Sequence, residues 1–130
     1  MGFSFGNGAI MLERRKTKRR NISYYMRIVD TCTNQIIGHL ADITLQGLKV
    51  DSQKAIQVPK MYRLRIYSTA DVSDKDYIEF DASARWCHVD PLEPGLFVIG
   101  FEIIKIDPHE KGIVQRIVDK YSARENNYNF

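Results

Sequence analysis

The chain has 130 residues, 44% of them apolar and 27% charged, which is material for one domain around one modest core. No apolar run reaches the roughly 20 residues that a membrane helix needs, and Cys32 and Cys87 stand too far apart for a metal-ligand spacing. The net charge of +3 is lopsided: residues 1–27 carry seven Lys/Arg against one acid, and the remainder twelve against fifteen, which is not the pattern of a uniformly basic nucleic-acid coat.

Residues 1–12 are rich in Gly, Phe and Ser, show no period, and read as a flexible segment. MGFSFGNGAIML has no cationic n-region, and Gly6 stands where a myristoylation pattern wants Ser or Thr, so neither a secretory signal nor a lipid anchor is expected. ERRKTKRR follows at residues 13–20. Strands then begin. Tyr24 to Cys32 is loosely alternating but rich in Tyr, Ile, Val and Thr, and Asn34-Gln35 reads as the turn into a returning strand, Ile36 to Ile43. After TLQG, LKV is a short third strand. Met61 to Tyr67 sets Tyr62, Leu64 and Ile66 against Arg63 and Arg65 with a period of two. The next strand, Ile78 to His88, is expected to carry Ile78, Phe80, Ala82, Ala84 and Trp86 on one face. Leu96 to Ile106 carries Phe97, Ile99, Phe101 and Ile103 on one face, with a hairpin turn around Gly95 before it.

The period then changes to that of a helix. Asp107, Pro108 and Glu110 read as an N-cap, a proline in the first turn and a capping-box acid. Ile113, Val114, Ile117, Val118 and Tyr121 form one apolar stripe at helical spacing. Residues 123–130 are a polar tail. The sum is an all-β domain: a six-stranded antiparallel barrel with a C-terminal α-helix over one opening, the economical way for so few strands to limit their exposed edges.

Two stretches carry chemistry. In Arg15-Lys-Thr-Lys-Arg19 two arginines stand four apart, flanked by Arg14 and Arg20. Asp42-Ile-Thr44-Leu-Gln-Gly47 joins two strands. An RxxxR box followed some two dozen residues later by a box of the form D/N-x-S-x-x-G, met here with Thr44 at the Ser position, at the opening of a small barrel resembles the PilZ domain family, and the resemblance extends over residues 13–122. It implies binding of cyclic di-GMP, a bacterial second messenger, by Arg14, Arg15, Arg19, Asp42, Thr44 and Gly47. It also implies a partner protein in motility, adhesion or secretion, since the chain carries no output domain. Related domains can present an aromatic group to a guanine from the strand that corresponds to ASARWCHV, which makes Trp86 a further candidate. The family usually has Ser where this chain has Thr44, and the extra methyl restricts χ1 and takes up space beside a ligand.

The residues suit such a ligand on chemical grounds as well. A guanidinium is a planar fork that binds phosphate oxygens in pairs, or guanine O6 and N7, and lysine cannot match that geometry. A carboxylate at Asp42 accepts from guanine N1 and N2. The glycine at 47 lets the backbone turn with no Cβ in the way. Each residue has a blander reading beside this one. The basic stretch can be a solvated arm, Asp42 can cap a turn, and Trp86 can be core. No nucleophile–base pairing, Gly-rich phosphate cradle or metal cluster can be placed, so no enzyme, cofactor or metal is expected. The expectation is a cytoplasmic receptor whose self-repelling N-terminal arm is ordered by ligand. Two rivals are a degenerate domain that acts through protein contacts alone and an electrostatic nucleic-acid binder. Neither specific nucleic-acid binding nor membrane insertion is expected.

Overall fold

The computed structural model describes residues 26–121. Six strands run in chain order, β1 (Arg27–Asp30), β2 (Gln35–Ile43), β3 (Gly47–Ser52), β4 (Lys60–Tyr67), β5 (Tyr77–Val89) and β6 (Phe97–Lys105), and helix α1 (Pro108–Tyr121) follows. All neighbours are antiparallel, in the ring order β1-β2-β3-β6-β5-β4. The ring closes where Ile28 of β1 pairs with Ile66 of β4. This is the expected six-stranded barrel.

Alternation explains which faces are buried. Tyr62, Leu64 and Ile66 of β4 point inward, as do Ile78, Phe80, Ala82 and Ala84 of β5. The two alanines have a packing purpose. Ala82 pairs with Tyr62 on one side, and Ala84 pairs with Phe101 on the other. With only methyl groups between them, the two rings meet edge to face, 5.9 Å between centroids and 82° between planes. Phe80 and Phe101 are wholly buried, and removing such a side chain from water stabilises the fold by about 1.5–3 kcal/mol.

The first hairpin differs from expectation. Its turn is Thr31–Asn34, so Cys32, expected at the end of the first strand, lies in the turn and is exposed. Asp30 makes the turn: its Oδ1 accepts from the Cys32 amide at 2.9 Å and its carbonyl from Asn34 N at 2.7 Å. Asn34 takes φ 62°, a conformation that Asn tolerates better than most residues. Tyr24 and Tyr25, expected to open this strand, lie outside the described residues.

Helix α1 buries Ile113, Val114 and Ile117, with Val118 and Tyr121 packed at the rim of the core, as its stripe predicts. It touches β2 and β5, which face each other across the six-membered ring, and a helix that reaches both must span an opening. The capping box does not form. Glu110 Oε2 instead accepts from Lys75 Nζ at 2.9 Å. Lys75 belongs to the β4–β5 connection, which sequence periodicity leaves unassigned, and this connection is clasped along the helix. Val72 is buried in the core and its carbonyl accepts from Arg116 Nε at 2.7 Å, while Asp71 pairs with Lys120 and accepts from the Tyr121 hydroxyl.

Candidate functional site

Two β-bulges decide which side chains face outward on one wall of the barrel. In the first, Leu40 pairs with Val50 and Asp42 with Lys49, so Ala41 is an extra residue in β2. Leu40 and Ile43 both enter the core, and Asp42 turns outward with Lys49, although it is only 7% exposed. Asp42 is therefore a strand residue and not the cap of a turn. In the second bulge Ala84 pairs with Phe101 but Trp86 with Gly100, leaving Arg85 as the extra residue. Beyond it the alternation of β5 is inverted. Cys87 now pairs with Ile99 and packs against the core, and Trp86 faces outward. The expectation that Trp86 shares a face with Ile78, Phe80, Ala82 and Ala84 is thus corrected, because the extra residue shifts it by one position.

Both bulges serve one outcome. Asp42, Lys49, Gly100 and Trp86 form a single cross-strand row on the outer wall, through β2, β3, β6 and β5. Three strand spacings separate its ends, roughly 14 Å along the wall. Within the row Lys49 Nζ stands 5.9 Å from the centroid of the Trp86 ring.

Trp86 can lie on the wall because residue 100 has no side chain. A Cβ at Gly100 would stand 2.2 Å from Cε2 of the indole, 2.4 Å from Cζ2 and 2.6 Å from Nε1. The nearest atom is a ring-fusion carbon, and the next nearest are two of its three bonded neighbours, so the indole lies face down on the β6 backbone. His88, exposed and two residues along β5, stacks on it with centroids 5.0 Å apart and planes at 21°.

At the end of this wall, residues 44–46 join β2 to β3. The Thr44 hydroxyl accepts from Gln46 N at 3.1 Å and Gly47 N at 3.3 Å, and Thr44 N donates to the Gly47 carbonyl at 2.8 Å. Thr44 is the residue that shapes this turn. The Gln46 carbonyl accepts from Ile103 N at 2.7 Å and ties the turn to β6. Gly47 is buried as the first residue of β3, opposite Glu102, whose carboxylate pairs with Arg85.

Of the residues singled out in the sequence, Asp42 and Trp86 share the outer wall and Thr44 and Gly47 form the turn at its end. Arg14, Arg15 and Arg19 lie outside the described residues. Lys49, His88 and Gly100 were missed. Lys49 stands out only as the polar residue of LKV. Gly100, inside a strand, carries the general signal of a close approach by another group. Among the described residues no group of three His, Cys, Asp or Glu is placed to hold a metal ion, and no helix is long and apolar enough to cross a membrane.

A family model described as PilZ domain matches residues 13–120. Among solved structures the chain is similar to the PilZ domain with c-di-GMP of YcgR from Escherichia coli, with 16% identity, a TM-score of 0.56, and coverage of 75% of this chain and 80% of that one. At that identity the likeness establishes the fold. A comparison with curated proteins gave no match. The family match takes in both the basic stretch and the whole barrel, with bulges, turn and helix in place, and on that ground the chain belongs to the PilZ domain family.

Proposed function

We propose that this domain is a receptor for cyclic di-GMP that binds the dinucleotide without converting it. The reading rests on family membership, and the observation that carries it is the outward row from Asp42 to Trp86 beside the Thr44–Gly47 turn. That row sets a hydrogen-bond acceptor and an aromatic surface on one wall. A planar base with N–H donors on its edge uses both, and a bare phosphate uses neither. The similar structure of 16% identity is of a domain with c-di-GMP.

In this reading Asp42 accepts from guanine N1 and N2, and Trp86 offers a base-stacking surface. Arg15 and Arg19, with Arg14 beside them, supply the guanidinium forks for phosphate oxygens or the guanine O6/N7 edge. Ligand draws the arginine arm onto the wall. The change in the arm alters the surface offered to a partner protein, so the domain signals in trans. Motility, adhesion or secretion machinery is the kind of partner that the family resemblance implies.

Thr44 contributes at one remove, through the turn that positions Gly47. Because its hydroxyl accepts from two backbone amides of that turn, Thr in place of Ser retains the structural part of the motif.

Calorimetric titration with cyclic di-GMP tests the proposal, with Arg15→Ala, Arg19→Ala and Asp42→Ala beside the unaltered chain. Loss of one bidentate contact lowers affinity roughly 5- to 150-fold. No binding by the unaltered chain selects a domain that acts through protein contacts alone. Equal weak binding by all four proteins refutes the site. Equal affinity for random oligonucleotides, steeply dependent on salt, selects the nucleic-acid reading.

A further inference from the structure

An indole has two faces, and in this molecule both are taken. One lies on the backbone of Gly100, where a Cβ would stand 2.2 Å from Cε2. The other has to be where His88 sits. Two rings edge to edge in one plane, with heavy atoms in contact at about 3.5–4 Å, cannot bring their centroids within the 5.0 Å found here. The imidazole is therefore stacked in offset fashion on the indole, and the only face left for it is the one turned away from the sheet.

From this we infer that His88 sets the affinity of the aromatic part of the site, by occupying the surface of Trp86 that an incoming base must take. The inference rests on the cyclic di-GMP reading above and deepens it. Base stacking on Trp86 is an exchange: the imidazole swings out as the guanine arrives, and one stack replaces another. The imidazole is exposed, so it has water to move into. Gly100 keeps the indole from retreating with it, because the ring has backbone directly beneath it. The net gain from Trp86 is then smaller than an uncovered tryptophan would give, and His88 is the residue that determines by how much.

The sign of the effect makes the inference testable. His88→Ala takes the imidazole off the indole, leaving the Lys49 ammonium 5.9 Å from the ring centroid, and is expected to tighten cyclic di-GMP binding about 2- to 13-fold, the equivalent of one aromatic pair. His88→Phe keeps a ring on the indole and is expected to bind no more tightly than the unaltered chain. Binding by His88→Ala that is equal to or weaker than that of the unaltered chain overturns the inference and leaves the proposed function standing. Failure of both the unaltered chain and His88→Ala to bind removes the proposed function, and this inference with it. A ligand-free measurement checks the stack alone. Trp86 is the one tryptophan of the chain, so its emission reports this contact. Emission and near-ultraviolet circular dichroism are expected to change in His88→Ala and to persist in His88→Phe. Spectra unchanged in His88→Ala overturn the covered-face geometry.

Discussion

Replacing Gly100 with alanine tests the geometry of the wall without any ligand. The new Cβ would stand 2.2 Å from Cε2 of Trp86, so the indole must lift by more than 1 Å to reach ordinary contact. Lifting takes the indole off the β6 backbone and disturbs its stack with His88. Overpacking of this kind costs about 1–3 kcal/mol. Against it stands the loss of backbone freedom in the unfolded chain, which by itself favours Gly→Ala by about 0.4–1 kcal/mol. The expected net destabilisation is about 1–2 kcal/mol, a fall in Tm of roughly 3–10 °C for a domain of this size. Urea unfolding of Gly100→Ala, Trp86→Ala and the double variant forms the decisive cycle. In the Trp86→Ala background the clash has no partner, and Gly100→Ala is expected to be neutral or stabilising. A penalty of the same size with and without the indole would refute the account, since the cost would then come from the β6 backbone itself.

Two further predictions concern the elements on either side of this wall. Thr44→Ser is expected to leave the urea midpoint unchanged, whereas Thr44→Val, which strands the amides of Gln46 and Gly47, is expected to cost about 1 kcal/mol. Equal stability of the two variants would show that the hydroxyl does not hold the turn. The clasp between the β4–β5 connection and α1 predicts sensitivity to acid. The Asp71 carboxyl is held well below the usual carboxylate range, first by the Thr69 hydroxyl and then by Tyr121 and Lys120, and Lys75 lowers that of Glu110. Groups whose folded pKa is depressed stabilise the fold above their unfolded values of about 4, and that contribution is lost as pH falls through the folded values. The urea midpoint is therefore expected to drop between pH 5 and the acid limit, and to drop less steeply in Asp71→Asn/Glu110→Gln; parallel curves would dismiss the clasp.

What was legible in the sequence follows from what local periodicity can encode. A period of two picks out the inward residues of β4 and β5 as far as Ala84, and the change to a helical period locates α1 and its buried stripe. Periodicity fails at Arg85. One extra residue inverts the alternation without any change in residue type, and so the expectation for Trp86 fell on the wrong face. It fails again at the clasp, where Lys75, Asp71 and Val72 meet partners 35 to 50 residues later in the chain and leave no local pattern. The Asp42–Thr44–Gly47 box was legible as a unit because three of its residues serve one corner. The division of labour within it was not, because a strand position with a bulge and a turn cap look alike until the register is known.

The closed ring limits how this domain can communicate. Among the described residues each of the six strands has a neighbour on both sides, so none of them lies wholly open along an edge to accept a strand from another chain. On the described residues, a binding partner meets side chains on the staves or the helical plug. A protein caught by such contacts can be released again through rearrangement of a few surface groups, and the hoop itself need never open.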